Sequence, residues 1–167
     1  RNPLRQAGFP ARSIIRALRI DPGRFTFSLH SSRWEGCAPL TLGQWAQQKG
    51  LVAAINASMF QIDGVTSTGY MREGKNINNS RIAARYGAFF VANPIVPGLP
   101  DAALLNRSHD DWHSLLPKYG TVVQNFRLMD RAGHPLWPKD GPLHAISAIA
   151  QTCDGHIVFL HCSDPVS

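Results

Sequence analysis

The sequence predicts an α+β fold, a mixed, largely antiparallel β-sheet with a few helices, in one domain across residues 1–167. Three observations predict it. Short apolar or alternating runs recur at residues 24–30, 51–55, 87–92, 121–129, 146–150 and 156–161. Only residues 41–50 and 110–119 combine helical spacing with a capping residue. Turn chemistry punctuates the rest: Asp21-Pro22-Gly23, Asp63-Gly64, Asn93-Pro94 and Asp154-Gly155.

Each element has its own reason. Residues 12–20 (RSIIRALRI) fit a helix or a strand. In residues 24–30, Phe25, Phe27 and Leu29 fall on one face, which predicts a strand. Thr41 is a good N-cap; Leu42, Trp45 and Ala46 follow at helical spacing, and Gly50 is a natural stop. Residues 51–55 then read as a buried strand that ends at Asn56. Tyr70-Met71-Arg72 predicts a short strand, and residues 87–92 (GAFFVA) a longer one closed by Asn93-Pro94. A proline-rich loop over 94–101 precedes a short helix over 110–119, capped by Ser108 or Asp110. Residues 121–129 (TVVQNFRLM) predict a strand, residues 133–142 a loop, and residues 146–161 a β-hairpin around Asp154-Gly155.

The composition narrows the class. With 44% hydrophobic and 17% charged residues, the chain can build a core and does not have the signature of disorder. No apolar run approaches the roughly 20 residues of a membrane-spanning helix. The net charge is +6, with Arg1, Arg5, Arg12, Arg16, Arg19, Arg24 and Arg33 crowded toward the N-terminus. No Lys/Arg run or nucleic-acid motif accompanies it, so no nucleic-acid partner is expected. The start, Arg1-Asn2-Pro3-Leu4-Arg5, has no apolar stretch behind it and no Met, which points to processing or trimming. Cys37, Cys153 and Cys162 have no metal spacing; Cys153 and Cys162 flank one strand, too far apart for a disulfide, and a pair with Cys37 or unpaired thiols both remain open.

Candidate chemistry is sparse. Asn56, at a strand end, can hold a ligand through its amide or simply form a turn. Gln124, Asn125 and Arg127 put polar groups into an apolar strand, consistent with an edge strand's wet face or with a site. Gln124 and Phe126 share one face, Asn125 and Arg127 the other. Arg127 could fork onto a phosphate or carboxylate. His109 and His113 have zinc-pair spacing without the glutamate of HExxH, and a solvated helix face explains them better. Neither a GxSxG, a P-loop nor a dinucleotide motif occurs, and no acid/base pair is complete.

Taken in order, AAINASMFQIDGVTSTGYM, Asn78-Asn79, YGAFFVANP, YGTVVQNFRLM and DGHIVFLHCSDPVS resemble the phosphodiester glycosidase family, from about residue 18 to the C-terminus. The resemblance is to a small bacterial branch of that family, which includes exopolysaccharide-related proteins. It implies hydrolysis of a sugar-1-phosphodiester or a related exopolysaccharide bond, with no cofactor and no metal, in a periplasmic or secreted protein. By the same resemblance Asn56, Gln124 and Arg127 take catalytic positions. Asp63, Thr68, Gly69, Arg72 and Asn78 take substrate-binding positions. The expected partner is a carbohydrate or sugar phosphate; the alternative expectation is a catalytically inactive carbohydrate- or envelope-binding or interaction module on the same scaffold. A phosphate leaves easily, so the demand moves from acid catalysis to binding negative charge, a role for Arg127 or Arg72.

Two departures accompany the resemblance. Ile146-Ser147 stand where many members carry Arg-Thr. Members also continue into a Gly-rich acidic segment that supplies a strand and a carboxylate. The expectation is therefore a domain cut short, completed by further sequence, by an oligomer or by a second chain.

Overall fold

The computed structural model describes residues 14–136 and 144–166. Twelve short elements are drawn among them: β1 (Ile15–Ile20), α1 (Ser32–Glu35), α2 (Leu42–Lys49), β2 (Met71–Glu73), β3 (Asn76–Asn79), β4 (Ala88–Pro94), β5 (Ala102–Asn106), α3 (Trp112–Leu115), a 3-10 turn (Leu116–Lys118), β6 (Tyr119–Asn125), β7 (His144–Gln151) and β8 (Ile157–Val166). All strand pairs are antiparallel. They form two sheets, ordered β1-β8-β7 and β3-β2-β6-β4-β5. The fold is therefore α+β and mostly β, as the sequence predicts. The described residues of 1–20 and 128–167 form one compact unit and residues 21–127 another, and each is described by itself.

In the smaller unit the hairpin is the organising element. Gly155 adopts a left-handed φ of 87°, and its N–H donates to the Thr152 carbonyl oxygen at 3.0 Å. Arg19 on β1 pairs with Asp154 in that turn. β1 lies on the outer edge of β8, with Ile15 opposite Cys162 and Ile20 opposite Ile157. That pairing decides residues 15–20 as strand, where their own pattern allows helix or strand. Residues 137–143, and with them most of the expected loop, lie outside the described residues, as do Arg1, Arg5 and Arg12.

In the larger unit β6 is central and buried on both faces. Val122 packs with Phe89, Val91, Leu105 and Tyr119, while Val123 packs with Leu29 and Met71. This double burial is why the strand begins as a continuous apolar run. It ends at Asn125, so Phe126 and Arg127 lie beyond the ladder, and neither expected face-sharing pair, Gln124 with Phe126 or Asn125 with Arg127, lies wholly on the strand. β4, β2 and the hairpin match expectation within a few residues. β3 and β5 answer to no expected strand: NINN is polar, and AALLN has no alternation.

Two expected strands do not form. In residues 24–30 the Asp21 carbonyl accepts from both Arg24 and Phe25 N–H, a turn, and the rest joins no ladder. Its alternation has a different cause. Leu29 is buried against Met71 and Val123, and Phe27 meets Phe90 edge-on at 5.3 Å. Its backbone is served by a side chain instead: Asn93 Nδ2 donates to the Phe27 carbonyl at 2.7 Å. Residues 51–55 also lack a ladder partner among the described residues, and Val52 is 85% exposed. An apolar run makes a strand only where another backbone satisfies its N–H and C=O groups.

The helices follow their local signals. Thr41 N–H donates to Gln44 Oε1 at 2.8 Å and Gln44 N–H donates back to Thr41 Oγ1 at 3.3 Å, a complete capping box, and Gly50 closes α2 in the left-handed region at φ 63°. The third helix is shorter than expected and capped by Asp111 rather than Ser108 or Asp110. The Asp110 carboxylate instead accepts from the Asn106 N–H. His109 precedes α3, so it does not share a helical face with His113. Cys37 and Cys153 are free thiols, and Cys162 is buried on β8.

Candidate functional site

The small-residue loop after Asn56 is built on a buried polar network. Ser67 is fully buried, and its hydroxyl lies 2.7 Å from that of Ser58. Its N–H donates to Asn78 Oδ1 at 2.6 Å. Asn78, itself buried on β3, sends its Nδ2 to Ser31 Oγ and to the Val65 carbonyl, each at 2.9 Å. The neighbouring Asn79 donates to the Ser67 carbonyl at 2.7 Å. Small hydroxyls and two asparagines thus replace the ladder that this loop lacks. Asn78 is the hub that ties the loop to β3, with its amide committed to main chain and serine.

Gln124 is entirely buried at the end of β6. Its Oε1 accepts from Ala83 N–H at 2.8 Å and Tyr70 N–H at 3.2 Å. Its Nε2 donates to the Ala83 and Tyr86 carbonyls at 2.9 and 3.0 Å. Two acceptor and two donor positions are an amide's full complement, so none is left for a ligand. Gln124 pins residues 83–86 over the end of the sheet. Gly69 fits into the same crowding, against Tyr86 and the Gln124 carbonyl.

The cations divide. Arg72 on β2 turns inward and donates to the Leu116 carbonyl at 2.9 Å and to the Tyr119 carbonyl, closing the 3-10 turn. Arg127 donates to Asn106 Oδ1 at 2.7 Å and packs against Gly87. The Nε of each is buried with no hydrogen-bond partner. Asn56 is exposed, and its side chain makes no hydrogen bond among the described residues. Thr68 Oγ1 donates to the Met59 carbonyl at 3.0 Å and lies 2.7 Å from the Tyr86 hydroxyl. Asp63 is exposed; the Thr66 hydroxyl, then the Thr66 and Val65 N–H groups, hold its carboxyl below the usual carboxylate range.

The structure therefore gathers part of the expected set at one end of β6. Asn125 Nδ2 reaches the Ala57 carbonyl at 3.5 Å, next to Asn56. Tyr86 meets Phe126 edge-on at 4.5 Å, with Thr68 on its hydroxyl and Arg127 one residue along the chain. Arg72, Asn78 and Asp63 are engaged elsewhere, in main-chain and turn contacts.

One carboxylate escaped the sequence reading. Glu73, on β2, is half-buried, and burial pushes its carboxyl up despite bonds from Thr121 and the Leu29 N–H. Thr121 Oγ1 donates to Glu73 Oε2 at 2.7 Å and accepts from Asn93 Nδ2 at 2.7 Å. Asn93 sits at φ 58°, a left-handed position that asparagine tolerates. A Glu-Gly-Lys turn conceals this role in the sequence, because burial comes from Leu29 and β6. Glu73 pairs with Thr121, three residues along β6 from Gln124, or about 10 Å by strand rise.

Among the described residues no group of three or more His, Cys, Asp or Glu side chains is gathered to hold a metal ion. Nor is any described helix long and apolar enough to cross a membrane. No protein-family model, curated protein or solved structure matches this chain.

Proposed function

We propose that this chain is a glycoside hydrolase-like domain that takes a sugar-1-phosphodiester, or a related exopolysaccharide bond, at the C-terminal end of β6. The observation that carries the reading is the convergence there of the Asn56 segment, the Thr68–Tyr86 pair and Arg127. An aromatic flank, an uncommitted amide and a cation are what a sugar bearing an anionic leaving group needs. Arg127 neutralises the phosphate and Asn56 holds a sugar hydroxyl or the attacking water. Gln124 serves by positioning residues 83–86. The proposal includes a periplasmic or secreted setting.

A second reading, a carbohydrate-binding module without turnover, draws on a specific observation. The Gln124 amide has no position left for chemistry, and Glu73 lies well along the strand from Asn56 and Arg127. Calorimetry with a sugar-1-phosphodiester, run beside a hydrolysis assay on the same ligand, separates the two. Hydrolysis that Asn56→Ala abolishes supports the enzyme. Binding that Arg127→Ala weakens by about 10-fold or more, without hydrolysis, supports the module. Wild-type turnover in Asn56→Ala would sink the site assignment.

A further inference from the structure

Away from the β6 end, residues 28–35 assemble a three-residue relay that neither reading uses. His30 Nδ1 lies 2.9 Å from Glu35 Oε1, and His30 Nε2 lies 3.1 Å from Ser28 Oγ. This is the connectivity of a serine nucleophile, an imidazole base and an orienting carboxylate. We propose that Ser28, His30 and Glu35 form an acyl-transfer site that hydrolyses carboxylic esters.

The local fold accounts for the arrangement. Buried Leu29 anchors the stretch, while exposed Ser28 and half-buried His30 on either side of it meet through their side chains. Ser31 then caps α1 by accepting from the Arg33 N–H, and Gly36 ends the helix at φ 65°. That single turn brings Glu35 back beneath His30. The α2 helix holds the pair from outside: Trp45 stacks on the imidazole at a 5.6 Å centroid distance, and Lys49 binds Glu35 Oε2. The bond from Lys49, then that from His30, keeps the Glu35 carboxyl below the ordinary glutamate value.

The hydrogen-bond logic assigns the proton. An ionised carboxylate only accepts, so Nδ1 of His30 carries the hydrogen that meets Glu35. In the neutral ring Nε2 is then the acceptor, and the Ser28 hydroxyl must donate to it. That is the tautomer a general base needs. His30 and Glu35 side chains are each 21% exposed, while Ser28 is open to solvent and reachable by an ester.

The step balances within the protein and water. Ser28 Oγ bonds to the acyl carbon as its proton passes to His30 Nε2. The adduct expels the alcohol oxygen, which takes that proton. A water molecule repeats the sequence on the acyl-serine, releasing the carboxylic acid and restoring the Ser28 hydroxyl. Ser28 and His30 touch the reacting atoms; Glu35 is a positioning residue.

The test is covalent labelling of the full chain with a fluorophosphonate probe, peptide mapping of the adduct, and hydrolysis of p-nitrophenyl acetate. Wild type is expected to carry the label on Ser28. Ser28→Ala and His30→Gln should lower labelling and ester turnover by roughly 100-fold or more. Glu35→Gln should lower kcat with KM unchanged, a split that loss of packing alone does not produce. Ser147→Ala, which removes an exposed serine 3.0 Å from His161 Nδ1, should label as wild type does. Wild-type protein with native circular dichroism and no label on Ser28 overturns the proposal. So does His30→Gln labelled at the wild-type rate. Neither result bears on sugar-phosphodiester binding at the β6 end.

Discussion

Gly69 lies flat against Tyr86: a Cβ built on it would stand 2.7 Å from Tyr86 Cδ2 and 3.0 Å from the Gln124 carbonyl oxygen. One obstacle is a ring edge held by its own hydroxyl contact to Thr68, the other is backbone of the central strand. The ring cannot retreat without disturbing its contact to Thr68, nor the carbonyl without moving the end of β6. Gly69→Ala is therefore expected to cost about 1–3 kcal/mol, the usual penalty of overpacking. The urea midpoint measures it, and an unchanged midpoint would show that the loop gives way freely.

Gln124→Leu keeps the volume and removes the amide. The Ala83 N–H and the Ala83 and Tyr86 carbonyls would then be left without the partners they have now. Each buried group left unsatisfied costs about 1–3 kcal/mol. The variant should lose at least ~2 kcal/mol and show faster hydrogen exchange across residues 83–86. Wild-type stability with reduced ligand turnover would instead make Gln124 a catalytic residue.

Glu73 should make stability fall as pH rises. Its folded carboxyl titrates above the ordinary value of 4.5, because burial disfavours the charge. The folded state therefore holds that proton more tightly than the unfolded chain. The contribution is fully present below 4.5 and is lost as pH rises through the raised value. Glu73→Gln should be at least as stable as wild type at pH 7, with the advantage vanishing below 4.5. A variant less stable by the same amount at every pH would contradict this.

Asp154 acts with the opposite sign. The Thr152 hydroxyl, with help from Arg19 and His156, holds its carboxyl down at about 2 against an ordinary 3.8. Its stabilising contribution is present above 3.8 and is lost as pH falls toward 2. Denaturation of Asp154→Asn across that range should show a deficit at neutral pH that closes in acid. A deficit that persists at pH 2 would mean that the hydroxyl and turn contacts, rather than the charge, carry the effect.

Thr41→Ala should remove the side-chain half of the capping box at the start of α2, the bond from the Gln44 N–H to Thr41 Oγ1, and leave the Thr41 N–H still donating to Gln44 Oε1. The expected loss is about 0.5–2 kcal/mol, read as a lower thermal midpoint. Thr41→Ser should recover most of it, since the hydroxyl alone makes the bond to the Gln44 N–H.

Some of this protein is legible without coordinates. The α2 helix is written in Thr41, Gln44 and Gly50, residues that act on backbone within a few positions of themselves. The hairpin is written in Thr152, Asp154 and Gly155 for the same reason. The β4 and β6 strands carry enough apolar residues in succession to announce burial. Asn56, Thr68 and Arg127 were legible as candidates, and the structure brings their segments to one end of β6.

Tertiary structure decided the rest. Residues 24–30 and 51–55 have strand patterns but no ladder, whereas polar NINN is a strand because β2 lies beside it. Gln124 read as a site residue because a polar group in an apolar run suggests chemistry; only the fold brings Ala83, Tyr70 and Tyr86 to its four hydrogen-bonding positions. Ser28, His30 and Glu35 share no recognisable motif until one helical turn and Lys49 align them. The sequence alone determined the α+β class, its capped helix and its hairpin, because caps and turns are satisfied by neighbours along the chain. A strand's partner and a buried amide's role depend on groups tens of residues away, and those meet only when the chain is folded.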